Sequence, residues 1–142
     1  MHKILRTRFH EAFSYESETM KGTDIESLHN MRVSCRRLHA VMIIFRDCFP
    51  KRKFERHRRK IRSLLRSLGR VREYDVFLGM LELHRNILKS EDRKAIELII
   101  ARQKHERIKE REALLKSLHT SRTENYEKKF MQLLNDCLPI RS

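Results

Sequence analysis

The segment HNMRVSCRRLHAVMIIF, from His29 to Phe45, begins with a histidine and combines it with three arginines and with apolar residues of the kind found in protein cores. His29, Arg32 and Arg36 are separated by three and four residues, so a helix would place them on one face. Arg37 follows directly beside them. Imidazolium and guanidinium groups bind phosphate oxygens through charge-assisted hydrogen bonds. The spacing therefore indicates an anion-binding face, although a helical histidine can also be a purely structural, hydrogen-bonded residue.

A second concentration of positive charge lies between Lys51 and Arg72, where the chain has eleven basic residues and a single acid, Glu55. Arg58, Arg62 and Arg66 recur every four residues, so a helix would place them on one flank, about 6 Å apart. Such a row could follow a chain of phosphates. It could also be a merely solvated face, but the mutual repulsion of eleven cations favours a nearby anion. The candidate phosphate-binding residues are His29, Arg32, Arg36, Arg37, Arg58, Arg59, Arg62, Arg66 and Arg72.

The sequence has no pattern that indicates catalysis or a metal centre. We find no nucleophile paired with a base, no pair of catalytic carboxylates and no close cluster of metal ligands. Cys35, Cys48 and Cys137 are widely separated and form no CxxC pair, so neither a zinc site nor a disulfide framework is indicated. We therefore predict a binding protein that is not an enzyme and that uses no metal and no cofactor.

Composition and charge limit the class of protein further. The 142 residues suit one domain, and three Gly, two Pro and 37% charged residues favour an all-helical protein. The net charge of +14 predicts a polyanionic partner, whether nucleic acid, an anionic membrane or polyphosphate. No apolar run approaches the 18 or so residues of a membrane span, and no signal peptide is evident. With its unpaired cysteines, the chain is expected to be a soluble cytoplasmic protein with no membrane partner.

The apolar spacing predicts an antiparallel helical bundle of about four to six helices, some of them long and basic. Thr23 and Glu26 have the spacing of a capping box and should begin the second helix. Gly69 should end the third as its C-terminal cap. The expected helices span about 2–20, 23–48, 50–68, 73–89 and 90–118, followed by a short final helix that ends before Pro139.

Two segments resemble the signature motifs of the CHAD family, whose name stands for conserved histidine α-helical domain. The first motif is similar to HxxRVxxRRL with a Phe seven residues later, and is matched by His29, Arg32, Val33, Arg36, Arg37, Leu38 and Phe45. The second is similar to LGxxRDxDV, and is matched by Leu68, Gly69, Arg72, Asp75 and Val76. Glu73 replaces the usual Asp and keeps its charge. We interpret Asp75 and Glu73 as structural partners of Arg72 or Arg37.

The resemblance implies an all-helical module that binds inorganic polyphosphate, or a similar phosphate-rich polyanion, through a basic cleft formed by the candidate residues above. Members of the family usually have two related four-helix bundles, whereas residues 1–142 resemble the first bundle only. The chain would then be half of a two-bundle domain, or two copies would pair as a homodimer. A homodimer would also bury Ala40, Ile43 and Ile44, which continue the basic side of the second helix. The alternatives are a nucleic-acid-binding helical protein and an adaptor that recruits another protein.

Overall fold

The structure, a computed structural model, describes residues 1–138, and all of its regular elements in that range are helical. The helices are α1 (His2–Ser14), α2 (Glu16–Lys21), α3 (Ile25–Ile44), α4 (Lys51–Arg85), α5 (Ser90–Thr123) and α6 (Tyr126–Asn135), with a 3₁₀ turn at Arg46–Cys48. The predicted all-α bundle is confirmed. The predicted stop at Pro139 lies outside the described residues. Across residues 1–138, no helix combines the length and the apolar character needed to cross a bilayer.

The start of α3 differs from the predicted capping box. Asp24, not Thr23, is the N-cap residue, and its Oδ1 accepts a hydrogen bond of 2.9 Å from the backbone N–H of Glu26. The Oγ of Ser27 donates to the other carboxylate oxygen at 3.3 Å. A carboxylate satisfies a free amide of the first turn and also interacts favourably with the positive end of the helix dipole. This cap fixes the end of α3 that carries His29.

Arg111 of α5 caps the C-terminal end of α2. Its guanidinium donates to the carbonyls of Thr19 at 3.1 Å and Met20 at 2.7 Å, which have no partner inside the helix. Gly22 follows with φ at 70°, a left-handed conformation that glycine adopts without steric cost. The long α5 is therefore connected to the short helix that leads into α3.

The most important correction concerns α4, which continues through Gly69 for 35 residues. Gly69 has no positive φ, and Leu68 and Val71 on either side of it are fully buried. Burying this apolar edge outweighs the cost of about 1 kcal/mol for glycine inside a helix. The predicted break between residues 68 and 73 is therefore wrong. For the same reason α5 continues past its predicted end at Leu118, since Ser121 is also buried.

Smaller corrections concern the first two predicted helices. The first is divided at Tyr15 into α1 and α2, and the second ends in a 3₁₀ turn after Ile44. Neither difference changes which side of a helix faces the core.

Two apolar clusters hold α3 between its neighbours. In the first cluster, the ring of Phe9 from α1 stacks on Phe130 from α6, with ring centroids 4.5 Å apart. In the second, Met31 and Cys35 of α3 pack with residues of α4 and α5 such as Leu68. The inner side of α3 packs into these clusters. Its basic side therefore lies along the edge of α4.

Candidate functional site

A groove between the antiparallel helices α3 and α4 brings the predicted cations together. Arg32 lies beside Gly69, where a methyl group would be 3.6 Å from Arg32 Nε. Arg32, Gly69 and Arg72 line a shallow depression that continues toward Val76. Two turns further along α3, His39 lies near Arg58 and Arg62 of α4. Helical spacing from these two contacts puts Arg36 on the same edge of α3, and puts Arg62 and Arg66 on the same edge of α4 as Gly69. We call this surface, with Arg32, Arg36, Arg62, Arg66 and Arg72 along it, the α3–α4 groove.

The arginines of the α3–α4 groove have no acidic partner in the part of the chain that the structure describes. Arg36 and Arg62 are exposed, as is Arg66. Within residues 1–138, no carboxylate lies within 4.0 Å of these three side chains or of Arg32 and Arg72. Unneutralised guanidinium groups from two facing helices create a concentrated positive potential. Such a surface can bind an extended anion.

Arg58 lies at the end of the groove but already has a partner. Glu55 accepts hydrogen bonds from its Nε at 3.0 and 3.1 Å and from its Nη2 at 2.9 Å. This contact lowers the pKa of Glu55 and raises the pKa of the Arg58 guanidinium. Arg58 therefore contributes less free positive charge than Arg62, which is one turn further along α4.

Two of the predicted binding residues lie away from the groove. Arg37 is directed toward α1, with its Nη1 3.6 Å from Oε1 of Glu11. Glu11 also accepts a hydrogen bond of 2.8 Å from Arg8. Arg59 is exposed on the outer face of α4, where it lines a shallow basic surface with Arg52. The structure therefore separates Arg37 and Arg59 from the other predicted cations.

The histidines along α3 contribute two inward-facing nitrogens to the groove region. Nδ1 of His29 and Nε2 of His39 are buried and have no hydrogen-bond partner among the described residues. Burial, together with the nearby Arg58 and Arg62, lowers the pKa of His39. Sequence reasoning missed His39, although its three-residue separation from Arg36 places it on the same helical edge.

The CHAD domain family model matches residues 3–141, nearly the whole chain. The chain belongs to the CHAD family. In this CHAD domain the two signature motifs lie on α3 and α4, and they meet where Arg32 packs beside Gly69. No curated protein and no solved structure matches the chain.

The second motif of the CHAD domain also contains a structural residue. Asp75 was predicted to neutralise Arg72 or Arg37, but it binds Arg107 of α5 instead, with 2.6 Å between Oδ1 and Nε. Its side chain is only 3% exposed, so this ion pair connects α4 to α5 inside the hairpin. Glu73 is exposed and lies beside Arg72 in the depression. The second motif thus supplies Arg72, a cation of the groove, and Asp75, a carboxylate that connects α4 to α5.

A second basic pocket, of about 500 Å³, lies between α4 and α6 of the CHAD domain. Most of its cations already have acidic partners, because Lys53 binds Asp136 at 2.9 Å and Glu124 lies 3.2 Å from Lys60 and 3.8 Å from Lys129. Burial, reinforced by nearby cations, lowers the pKa of His57 in this pocket to about 4. An anion would have to displace existing ion pairs here, so this pocket is a weaker anion site than the α3–α4 groove.

No metal site accompanies these surfaces in the described part of the chain. Across residues 1–138, no three or more His, Cys, Asp or Glu side chains are grouped so that they could hold a metal ion. The burial of Cys35 raises the pKa of its thiol to about 12, so this cysteine stays protonated and acts as a small apolar residue of the core.

Proposed function

We propose that this CHAD domain binds inorganic polyphosphate, or a similar phosphate-rich polyanion, in the α3–α4 groove. The observation that carries the proposal is the arrangement of five arginines on two facing helices without a carboxylate partner in residues 1–138. Guanidinium groups can bind phosphate oxygens in a bidentate manner and remain charged at any physiological pH. A flexible polyanion with one charge per repeat suits such a row.

The proposal assigns different roles to the two sides of the groove. Arg32 and Arg36 on α3, with Arg72 opposite, bind one stretch of the polyanion. Arg62 and Arg66 are four residues apart on α4, so they extend the row at steps of about 6 Å. His29 lies one turn before Arg32 on the same edge of α3, and we assign it a hydrogen bond to a phosphate near the end of the groove.

Single-stranded nucleic acid is the second candidate, and one observation favours it. Phe77 is exposed and lines the depression next to Arg72, where a base could stack on it. Proteins that bind single strands generally use several such aromatic platforms along a basic groove. The aromatic residue inside the basic stretch, Phe54, is buried in the core. This arrangement favours a polyanion that carries no bases.

A competition titration at near-physiological salt tests the proposal. Long-chain polyphosphate, duplex DNA and single-stranded RNA are compared at matched phosphate concentration. We expect the wild-type protein to prefer polyphosphate. The double variant Arg32→Glu with Arg36→Glu should lose most of this affinity, at least about tenfold, because two charge-assisted contacts are removed and two repulsive charges are added.

The matched control is Arg93→Glu with Arg102→Glu, which makes the same change in net charge on exposed positions of α5. It should retain the preference for polyphosphate and lose only a small, salt-dependent part of the affinity. Equal losses in the two double variants would contradict a site in the groove. Equal binding of all three polyanions by the wild type would contradict polyphosphate as the ligand.

A further inference from the structure

An exposed apolar stripe occupies the last third of α4. Val76, Met80 and Leu83 are separated by four and three residues, and Ile87 follows in the turn after the helix. Their exposed fractions are 47%, 52%, 70% and 80%, respectively. This spacing is that of the seam where one helix packs against another. Scattered exposed apolar residues are ordinary in proteins, but three along one helical edge, with a fourth in the turn that follows, mark an interaction surface.

The stripe continues the edge of α4 that faces α3. Gly69 and Arg72 lie beside Arg32, and Val76 and Met80 are one and two turns further on. The inner edge of the same segment is covered, since Leu78 is buried and Asp75 binds α5. Nothing among residues 1–138 covers the outer edge beyond Met80. The α4–α5 hairpin therefore has one packed side and one unpacked apolar side.

Charge indicates what covers this stripe. The chain carries a net charge of +14, and residues 51–72 alone, with eleven basic residues and one acid, have a net charge of +10. Residues 76–105, which form the end of the hairpin, contain six basic and four acidic side chains. Two copies of a strongly basic protein repel each other least where their local charge is nearly balanced. A partner with strong negative charge would instead be attracted to the basic end of α4.

We propose that two copies of this chain associate through the stripe, so that the two α4–α5 hairpins pack into a four-helix bundle. The same patch on each copy would pair with itself about a twofold axis, which requires no second type of surface. Antiparallel hairpins with a seam of this spacing have the geometry from which such bundles are made. The association needs no bound anion and is independent of the proposed function.

This surface differs from the one that the sequence suggested for a homodimer. The sequence suggested that a homodimer would bury Ala40, Ile43 and Ile44 of α3. Of these, Ile43 is half-buried and packs against the first core cluster. Ala40 and Ile44 are exposed. Ile44 is therefore the residue of α3 that can serve as a matched comparison for the stripe.

The mass of the protein in solution, measured by light scattering across the micromolar range, tests the proposal. The wild type should approach twice the 17.3 kDa of one chain as concentration rises. The double variant Leu83→Gln with Ile87→Gln should stay at the mass of one chain, and Ile44→Gln should associate as the wild type does. Helix content by circular dichroism should be equal in all three, because every changed position is exposed.

Three results would overturn the proposal. These are a wild type that stays monomeric throughout, a stripe variant that associates as strongly as the wild type, and an Ile44→Gln variant that alone becomes monomeric. Polyphosphate binding is measured on the same samples, with a chain short enough to fill one groove. The stripe variant should bind it with unchanged affinity, and the variant with Arg32→Glu and Arg36→Glu should still associate. A failure of either proposal is thereby distinguished from a failure of the other.

Discussion

Arg32 and Arg58 lie along the same groove, yet only Arg58 is held by a carboxylate, that of Glu55. The sequence placed Arg58, Arg62 and Arg66 on one helix, and α4 contains all three, because helical spacing is set by local geometry. It did not predict which of them are neutralised, since Arg37 meets Glu11 only after α1 folds against α3. Partner choice across helices depends on packing, and this is why part of the candidate site could not be predicted.

His39 provides a prediction about pH. In the free protein, burial and the nearby Arg58 and Arg62 lower its pKa, so the imidazole is neutral at pH 7. A polyanion bound at Arg62 would offset the part of this lowering that the arginines cause, so the pKa of His39 would rise and binding would take up a proton. By linkage, affinity for polyphosphate should increase several-fold as the pH falls from about 8 to about 6.

Histidine variants separate this effect from general changes in charge. The dependence on pH should become weaker in His39→Gln and should be unchanged in His105→Gln, an exposed position on α5. Binding curves at several pH values provide the measurement. If His39→Gln shows the same pH dependence as the wild type, the proton is taken up elsewhere. The same series with His29→Ala tests whether His29 contacts phosphate.

Asp75 provides a prediction about stability. Asp75→Asn keeps the shape of the side chain but removes its charge, which leaves Arg107 without an ionic partner at a mostly buried position. The free energy of unfolding should fall by about 2 to 3 kcal/mol, and affinity for polyphosphate should change little. Urea denaturation measures the first quantity. Glu73→Gln is the control, because this exposed residue should change stability by less than about 0.5 kcal/mol. A large loss of affinity in a folded Asp75→Asn protein would place Asp75 in the binding site.

At the scale of helices, apolar spacing predicted an all-helical bundle with long, basic helices, as the structure shows. It failed at boundaries where two local signals competed. Gly69 looks like a helix end, but the buried edge formed by Leu68 and Val71 continues α4 through it. At α3, the sequence predicted Thr23 as the cap, whereas the hydrogen bond from the Glu26 amide shows that Asp24 has that role. Such errors come from tertiary packing, which local patterns do not record.

Two glycine substitutions test this account of the helices. Gly79 is inside α4 with no atom within 4 Å of the place where a methyl group would lie. Gly79→Ala should therefore raise the free energy of unfolding by about 0.5 to 1 kcal/mol. Gly22→Ala should lower it by about 1 to 2 kcal/mol, because a left-handed residue would be strained and Arg111 displaced. Thermal and urea denaturation of both variants provide the test, and a stabilised Gly22→Ala protein would contradict the capping role of Arg111.

At the scale of the whole molecule, charge and apolar surface are divided along one helix. The first two thirds of α4 carry most of the net charge, and the last third carries the exposed stripe. Composition alone predicted a polyanionic partner, because the excess of basic residues is visible without any structure. It did not show that an exposed apolar surface lies further along the same side. The apolar residues at the end of α4 were seen to be exposed only when the structure showed that no part of α3 covers them.

The unbroken length of α4 would also make it a molecular ruler. From Arg66 to Leu83 the helix rises about 25 Å, so two copies joined at their stripes would hold their basic rows roughly 50 Å apart. A short polyanion would occupy one row and gain nothing from the second. A polyanion long enough to reach both basic rows would dissociate only when its contacts with both rows were broken at once. It would therefore bind with the avidity of a bivalent ligand. The spacing fixed by one continuous helix would then select polyanions by their length.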